Sequence, residues 1–242
     1  MLVRQIGSLL FWGFVVLSSA VLFPIALIIW LVTAPFDRRK RALHKFTCFW
    51  ASLYSWLNPA WPVTIHGREN VQPGTTYMFV ANHLSLLDIL VLFRLFYDFK
   101  WVSKAGIFGV PVIGWNMRLN GYIPLVRGNR DSVIEMMARC ERTLAQGSSL
   151  MMFPEGTRSA SGELQAFKTG AFELASQAGV PIVPIVIQGT HDALPKHGFV
   201  LRGKHPITVT VLPPFPGQGS VEQLTAQARE EIARVLAGAA HD

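Results

Sequence analysis

Thr76-Tyr77-Met78-Phe79-Val80-Ala81-Asn82-His83-Leu84-Ser85-Leu86-Leu87-Asp88 is the stretch from which the rest of the chain is read. Its first six residues form a short apolar run suited to a buried strand, and Ile89 to Tyr97 continues as an apolar helical run. A strand that delivers a histidine and then opens onto a helix places it in the crevice beyond the strand ends, where α/β sheets present ligands. On one continuous helix, His83 and Asp88 would point roughly 140° apart, because each residue turns about 100°. They meet only if His83 precedes the helix and Asp88 lies in its first turn. Ser85 predicts that break, since Ser-x-x-Asp ahead of an apolar run is a capping-box pattern with Ser85 at the N-cap.

Two readings of the pair follow. In the plainer one, Asp88 satisfies backbone N–H groups at the positive end of the helix, worth roughly 1 kcal/mol, beside an ordinary loop histidine. In the other, Asp88 accepts from one ring nitrogen of His83 and leaves the second free as a base. On spacing alone the plainer reading stands first. The chain carries no G-x-S-x-G nucleophile elbow to compete with it.

Working towards the N-terminus, Gln5 to Phe36 contains no charged residue, and Ile6 to Val32 is long enough to cross a hydrocarbon core of about 30 Å. A cleaved signal peptide is the weaker reading, because the apolar run is long and no small-x-small site closes it. Asp37-Arg38-Arg39-Lys40-Arg41 follows at once, with Lys45 behind it, whereas only Arg4 precedes the run. The positive-inside rule then places the remainder at the cytoplasmic face of the inner membrane. Each basic side chain can add up to about 1 kcal/mol of attraction to an anionic membrane. Phe46 to Leu57 is too short to span comfortably, and its aromatic residues suit the headgroup boundary. Residues 1–60 are therefore expected to form a two-helix membrane anchor, and 61–242 an α/β domain.

Composition agrees with an anchored domain. Of 242 residues, 50% are hydrophobic and 15% charged, with a net charge of +7 and a pI near 9.8. Such a balance favours an anionic partner. Nucleic acid is excluded as that partner because no base-reading motif accompanies the charge. Cys48 and Cys140 fit neither a disulfide framework nor a zinc site, and the seven histidines show no ligand spacing, so no metal is expected.

Towards the C-terminus, strands are predicted at residues 63–66, 100–104, 121–126, 149–153, 181–187 and 207–212, alternating with helices. Ser132-x-x-Glu135 marks a second capping box, and Val221 to Leu236 a closing amphipathic helix. Pro181 and Pro184 predict a sheet edge or a bulge for their strand. Residues 105–115, apolar but broken by glycines and a proline, suit an acyl-chain slot, a patch dipping into lipid, or a buried turn. The fold class is α/β, with a mixed, mostly parallel sheet covered by helices on both faces.

Three predicted strand ends carry polar cargo: His83 with Asp88, then Arg127, then Glu155 with Arg158. Lys104 and Lys168 are further candidates. Gly156 lets backbone amides approach an anion, and an arginine fork suits phosphate. Each is weak alone, but their convergence on one crevice favours a phosphate-bearing substrate.

Asn82-His83-x4-Asp88, the Lys104…Pro111…Gly114…Arg127 span, Phe153-Pro154-Glu155-Gly156-Thr157-Arg158-Ser159 and Val180-Pro181-Ile182-Val183-Pro184 resemble the four ordered blocks of the glycerolipid acyltransferases. The likeness is greatest to bacterial 1-acyl-sn-glycerol-3-phosphate acyltransferases (lysophosphatidic acid acyltransferases). The resemblance implies His83 as general base on the sn-2 hydroxyl of a lysophosphatidic acid, oriented by Asp88. It implies direct attack on acyl-CoA or acyl-acyl carrier protein, without an acyl-enzyme and without a further cofactor, giving phosphatidic acid. It also implies that Arg127, Glu155, Gly156, Thr157 and Arg158 hold the glycerol phosphate, with Lys104 nearby.

Overall fold

The computed structural model describes residues 2–196 and 198–238. Seven strands form one sheet: β1 (Val63–His66), β2 (Met78–Ala81), β3 (Phe99–Lys104), β4 (Ile123–Leu125), β5 (Ser149–Met152), β6 (Ile182–Gln188) and β7 (Ile207–Val211). Their order is β1-β7-β6-β2-β5-β3-β4, and every pairing is parallel except β6 with β7. The sheet is mixed and mostly parallel, as the alternation of strands and helices predicts.

Strand side chains alternate between two cores. Met78, Val80, Leu150 and Ile182 face one side, covered by α5 (Arg130–Ala145), α6 (Gly170–Ala178) and α8 (Val221–Gly238). Phe79, Ala81, Phe99, Trp101 and Met151 face the other, covered by α2 (Arg41–Trp56) and α3 (Leu87–Phe93). Period-two alternation of wholly apolar runs is what a sheet buried on both faces requires. Cys48 and Ala51 of α2 belong to this second core, so the helix after the basic elbow is continuous with the domain's interior.

Of the edge or bulge predicted for β6, the edge is corrected, since the strand lies between β7 and β2, and the bulge is found, in the segment that pairs with Pro184. Pro184 gives its carbonyl to the amide of Leu212 (2.9 Å), so its missing N–H faces the same side, beside the Pro213-Pro214 segment that follows β7. The prolines are tolerated because Pro181 precedes the strand and Pro184 faces a bulge: Ile185 pairs with Val211 but Ile182 with Phe215, one residue more on the partner segment. The second capping box is also corrected. Helix α5 begins at Arg130, with the side chain of Asn129 accepting from the amide of Ser132 (2.8 Å). The hydroxyl of Ser132 instead accepts from the amide of Val126 (2.9 Å), tying the helix to the end of β4.

Helix α1 (Leu2–Thr33) rises about 1.5 Å per residue and is roughly 48 Å long. It is held to the domain at both ends. Near its start, Ser8 accepts from the amide of Leu201 (2.9 Å) and Trp12 Nε1 donates to the carbonyl of Phe199 (2.7 Å). Near its end, Phe23 lies against Trp115, and Trp30 joins the cluster of Ala26, Leu43 and Trp50. Its outer face presents Leu9, Leu17, Val21, Ile28 and Val32 to the surroundings. The basic elbow is partly engaged by the domain itself: Arg39 donates to the carbonyl of Gly147 (2.8 Å) and Arg41 to Asp98 (2.6 Å).

Candidate active site

Strands β2, β3, β4 and β5 are mutually parallel, so their C-terminal ends share one rim. That rim carries His83, Lys104, Arg127 and the turn 153–159, residues distant in sequence.

At the centre, His83 Nδ1 lies 2.7 Å from Asp88 Oδ2. The same oxygen accepts from the amides of Leu84 (2.6 Å) and Ser85 (2.8 Å). The other oxygen accepts from the hydroxyl of Thr190 (2.5 Å). Four donors thus converge on a carboxylate with no exposed surface. The cap and the dyad turn out to be one structure: Asp88 reaches back to the start of its helix and holds the imidazole with the same atom. Ser85 takes part as predicted, though one residue early, its hydroxyl accepting from the amide of Leu87 (3.2 Å) and donating to the carbonyl of Leu194 (2.6 Å).

With Asp88 acting as acceptor, the proton of the pair sits on Nδ1, and Nε2 carries the lone pair. Nε2 has no hydrogen-bond partner among the described residues, and the ring borders a cavity of about 530 Å³. Phe153 stacks on the imidazole with centroids 3.8 Å apart, and Trp101 stacks on Phe153 at 5.4 Å. The ring is therefore fixed by a hydrogen bond at one edge and by an aromatic face.

Lys104, Arg127, Gly156, Thr157 and Arg158 line the same cavity as His83. Its lining includes no carboxylate side chain, and none of its cations forms an ion pair among the described residues. Lys196, which no motif marks, adds a fourth cation. Glu155 stands apart from this group. It is buried behind His83, whose amide donates to Oε1 (2.7 Å), while the amide of Gln165 donates to Oε2 (3.3 Å). Burial raises its pKa, and the amides of His83 and Gln165 oppose that rise. The amide of Ser159 donates to the carbonyl of His83 (2.8 Å), so the 153–159 turn grips the histidine's main chain from both sides. Gly156 turns there with φ +71°, and a Cβ on it would press against Lys168 at 3.0 Å. Lys168 packs across that turn and is not part of the cavity wall.

Away from the cations the cavity is apolar. It runs past Leu86, Leu90, Phe93 and Ile113 towards Trp12, Val15 and Trp50 of the first two helices. Residues 105–115 serve it directly through Ile107 and Ile113, while Val110 and Trp115 stay exposed. Gly114 is obligatory there, in the first turn of α4 (Ile113–Leu119), because a Cβ would sit 2.3 Å from the carbonyl oxygen of Phe108.

Sequence reasoning missed Thr190 and Lys196. Thr190 follows Gly189 after β6, in a single helical turn (α7, Thr190–Ala193), and no local pattern distinguishes it from any other helix-start threonine.

Three comparisons bear on this arrangement. Residues 62–188 match the family model described as Acyltransferase. The chain is 36% identical over 239 residues to a 1-acyl-sn-glycerol-3-phosphate acyltransferase of Chlamydomonas reinhardtii, covering 97% of this chain and 71% of the relative. It is 37% identical over 203 residues to a chloroplastic protein of the same description from Arabidopsis thaliana, covering 83% of this chain and 56% of that one. The chain thus spans little more than half of the plant relative. The fold matches the crystal structure of the 1-acyl-sn-glycerophosphate acyltransferase PlsC from Thermotoga maritima with a TM-score of 0.80 at 22% identity, over 99% of this chain and 98% of that one.

Proposed function

This chain belongs to the acyltransferase family, and from that premise we propose that it moves an acyl group from a thioester to the sn-2 hydroxyl of 1-acyl-sn-glycerol 3-phosphate, giving phosphatidic acid. The donor is acyl-CoA or acyl-acyl carrier protein. One observation carries the reading: the second nitrogen of a carboxylate-held histidine, a group of cations with no ion-pair partner among the described residues, and a long apolar recess open onto a single cavity. An acyl thioester fits the recess, and a phosphate-bearing alcohol fits the cations.

His83 Nε2 takes the proton of the sn-2 hydroxyl as its oxygen attacks the thioester carbonyl. The tetrahedral intermediate collapses by breaking the C–S bond, and the departing thiolate recovers the proton from the imidazolium. Asp88 keeps the ring in the required tautomer and faces the charge that forms on it. General-base assistance of this kind is worth about 10²–10⁴-fold, and the remainder comes from positioning and charge stabilisation. Lys104, Arg127 and Arg158 hold the acceptor's phosphate, with the Gly156-Thr157 turn beside them. Glu155 supports the reaction by fixing the main chain of His83.

The apolar outer face of α1 lies in the membrane. Because both ends of α1 are fixed to the same body, the helix lies along the boundary of one leaflet, and lipid substrates reach the cavity from that leaflet. Purified protein given labelled acyl-CoA tests the proposal. Label should enter phosphatidic acid only when lysophosphatidic acid is supplied; release of free fatty acid irrespective of acceptor would assign a hydrolase instead.

A further inference from the structure

A second cavity, of about 390 Å³, lies beside the catalytic one, between the first turns of α1, the end of α2 and residues 201–203. Tyr54 borders both. Phe11, Phe14, Leu57 and Trp61 make its walls mainly apolar. Two of its polar groups are already engaged: the Ser8 hydroxyl donates to the carbonyl of Arg4 (2.6 Å) and accepts from Leu201, and Asn58 Oδ1 accepts from the amide of Ala60 (3.0 Å). Two donors are left over. The Arg4 guanidinium forms no ion pair, and the Asn58 side-chain N–H groups form no hydrogen bond, among the described residues. No acidic side chain among the described residues lines the space.

Left-over donors in an apolar recess match a ligand with an anionic, acceptor-rich end and a hydrocarbon tail. The surroundings say where that ligand comes from. Leu2, Ile6, Leu57 and Phe199 stand 69%, 49%, 62% and 74% exposed around it, continuing the apolar face of α1. A pocket on such a face draws from the bilayer. We propose that this cavity is a binding site for an anionic phospholipid, separate from the catalytic site, with one chain between α1 and Trp61 and the phosphate on Arg4. The inference rests on α1 lying at the lipid boundary and is independent of which acceptor is acylated. An occupied site fills the gap under the start of α1, so the seating of that helix depends on the anionic lipid around it.

Gly7 provides the test. It lines the cavity, and a Cβ built on it meets nothing within 4 Å, so Gly7→Leu starts its side chain in open space, takes up cavity volume and favours the helix. Full-length protein in nonionic detergent would be titrated with phosphatidylglycerol or phosphatidylcholine and the bound lipids counted by native mass spectrometry. The wild type should retain one more phosphatidylglycerol than Gly7→Leu. Lipid in the catalytic cavity is common to both proteins and cancels in the difference. Arg4→Gln, an exposed change that leaves the fold alone, should lower the preference for phosphatidylglycerol over phosphatidylcholine about tenfold, the loss of one charge-assisted contact. Equal retention by wild type and Gly7→Leu would overturn the site. Equal retention of the two lipids by the wild type would overturn the assignment of its ligand as anionic.

Discussion

Two histidines in this protein meet nearly the same local surroundings and come to opposite ends. His83 and His44 each have a hydrogen-bonded Nδ1 and aromatic neighbours, His83 against Phe153 and His44 against Phe93, Phe99 and Tyr122. The second nitrogen separates them. His44 Nε2 donates to the carbonyl of Tyr97 (2.9 Å), so Nδ1 must accept from the hydroxyl of Tyr122 (2.8 Å), and the residue is 1% exposed. His83 leaves Nε2 facing a cavity, with 12% of its side chain exposed. A histidine with both nitrogens engaged is a brace between α2 and the sheet, whereas one with a single nitrogen engaged is available as a base. Burial, aided by the nearby Lys100 ammonium, lowers the pKa of His44 to about 3, which keeps it neutral in that role.

The sharpest way to break the contrast is to remove each imidazole. His83→Ala and Asp88→Ala should each lower the acyl-transfer rate by about 10²–10⁴-fold with folding intact by circular dichroism. A near-normal rate in either would take the dyad out of the mechanism. His44→Gln should show its main effect in the melting temperature, and a turnover loss matching that of His83→Ala would erase the distinction.

The pH dependence of stability provides a second comparison. His44 is a base whose folded pKa lies below its unfolded value, so the unfolded chain binds the extra proton first. Its contribution is complete above about pH 6.5 and is lost as pH falls towards 3, at about 1.4 kcal/mol per pH unit within that window. Chemical unfolding of wild type and His44→Gln at a series of pH values should show a slope that flattens in the variant; parallel slopes would mean that another group carries the acid sensitivity.

Thr190 sharpens the other half. Thr190→Val leaves one oxygen of a buried carboxylate without its donor, and kcat should fall about ten- to a hundredfold while the acceptor KM holds. Thr190→Ser should restore most of the rate, and a Ser variant as slow as the Val variant would show that packing is the important factor. The smallest effect expected is at the rim. Arg158→Ala should raise the KM for a phosphate-bearing acceptor about tenfold, with kcat less affected, on the scale of one charge-assisted contact. An unchanged KM would remove Arg158 from the phosphate grip.

These positions differ in how far the sequence revealed them. His83 and Asp88 were legible because a strand-to-helix break is a local event, written in Ser85 and the apolar runs on either side. Arg127 and Arg158 were legible as cations at strand ends. Glu155 was legible as a site residue but not in its direction, since whether it faces substrate or the amide of His83 depends on how two strand-end turns dock. The central place of β6 was hidden for a similar reason: a proline fits inside a sheet at a bulge, and the bulge opposite Pro184 lies in the distant segment after β7. The elbow cations read from the sequence as membrane contacts, yet Arg39 and Arg41 reach groups more than fifty residues away.

The sequence alone determined the strands, the helices, the apolar face of α1 and the residues able to do acid–base and phosphate chemistry, because periodicity, caps and side-chain type are properties of neighbours along the chain. Only the tertiary structure decided which of those residues share a cavity, which histidine keeps a free nitrogen and which threonine holds the carboxylate. Those outcomes depend on strand order and on the alignment of parallel strand ends, and hence on packing between segments that the chain itself keeps far apart.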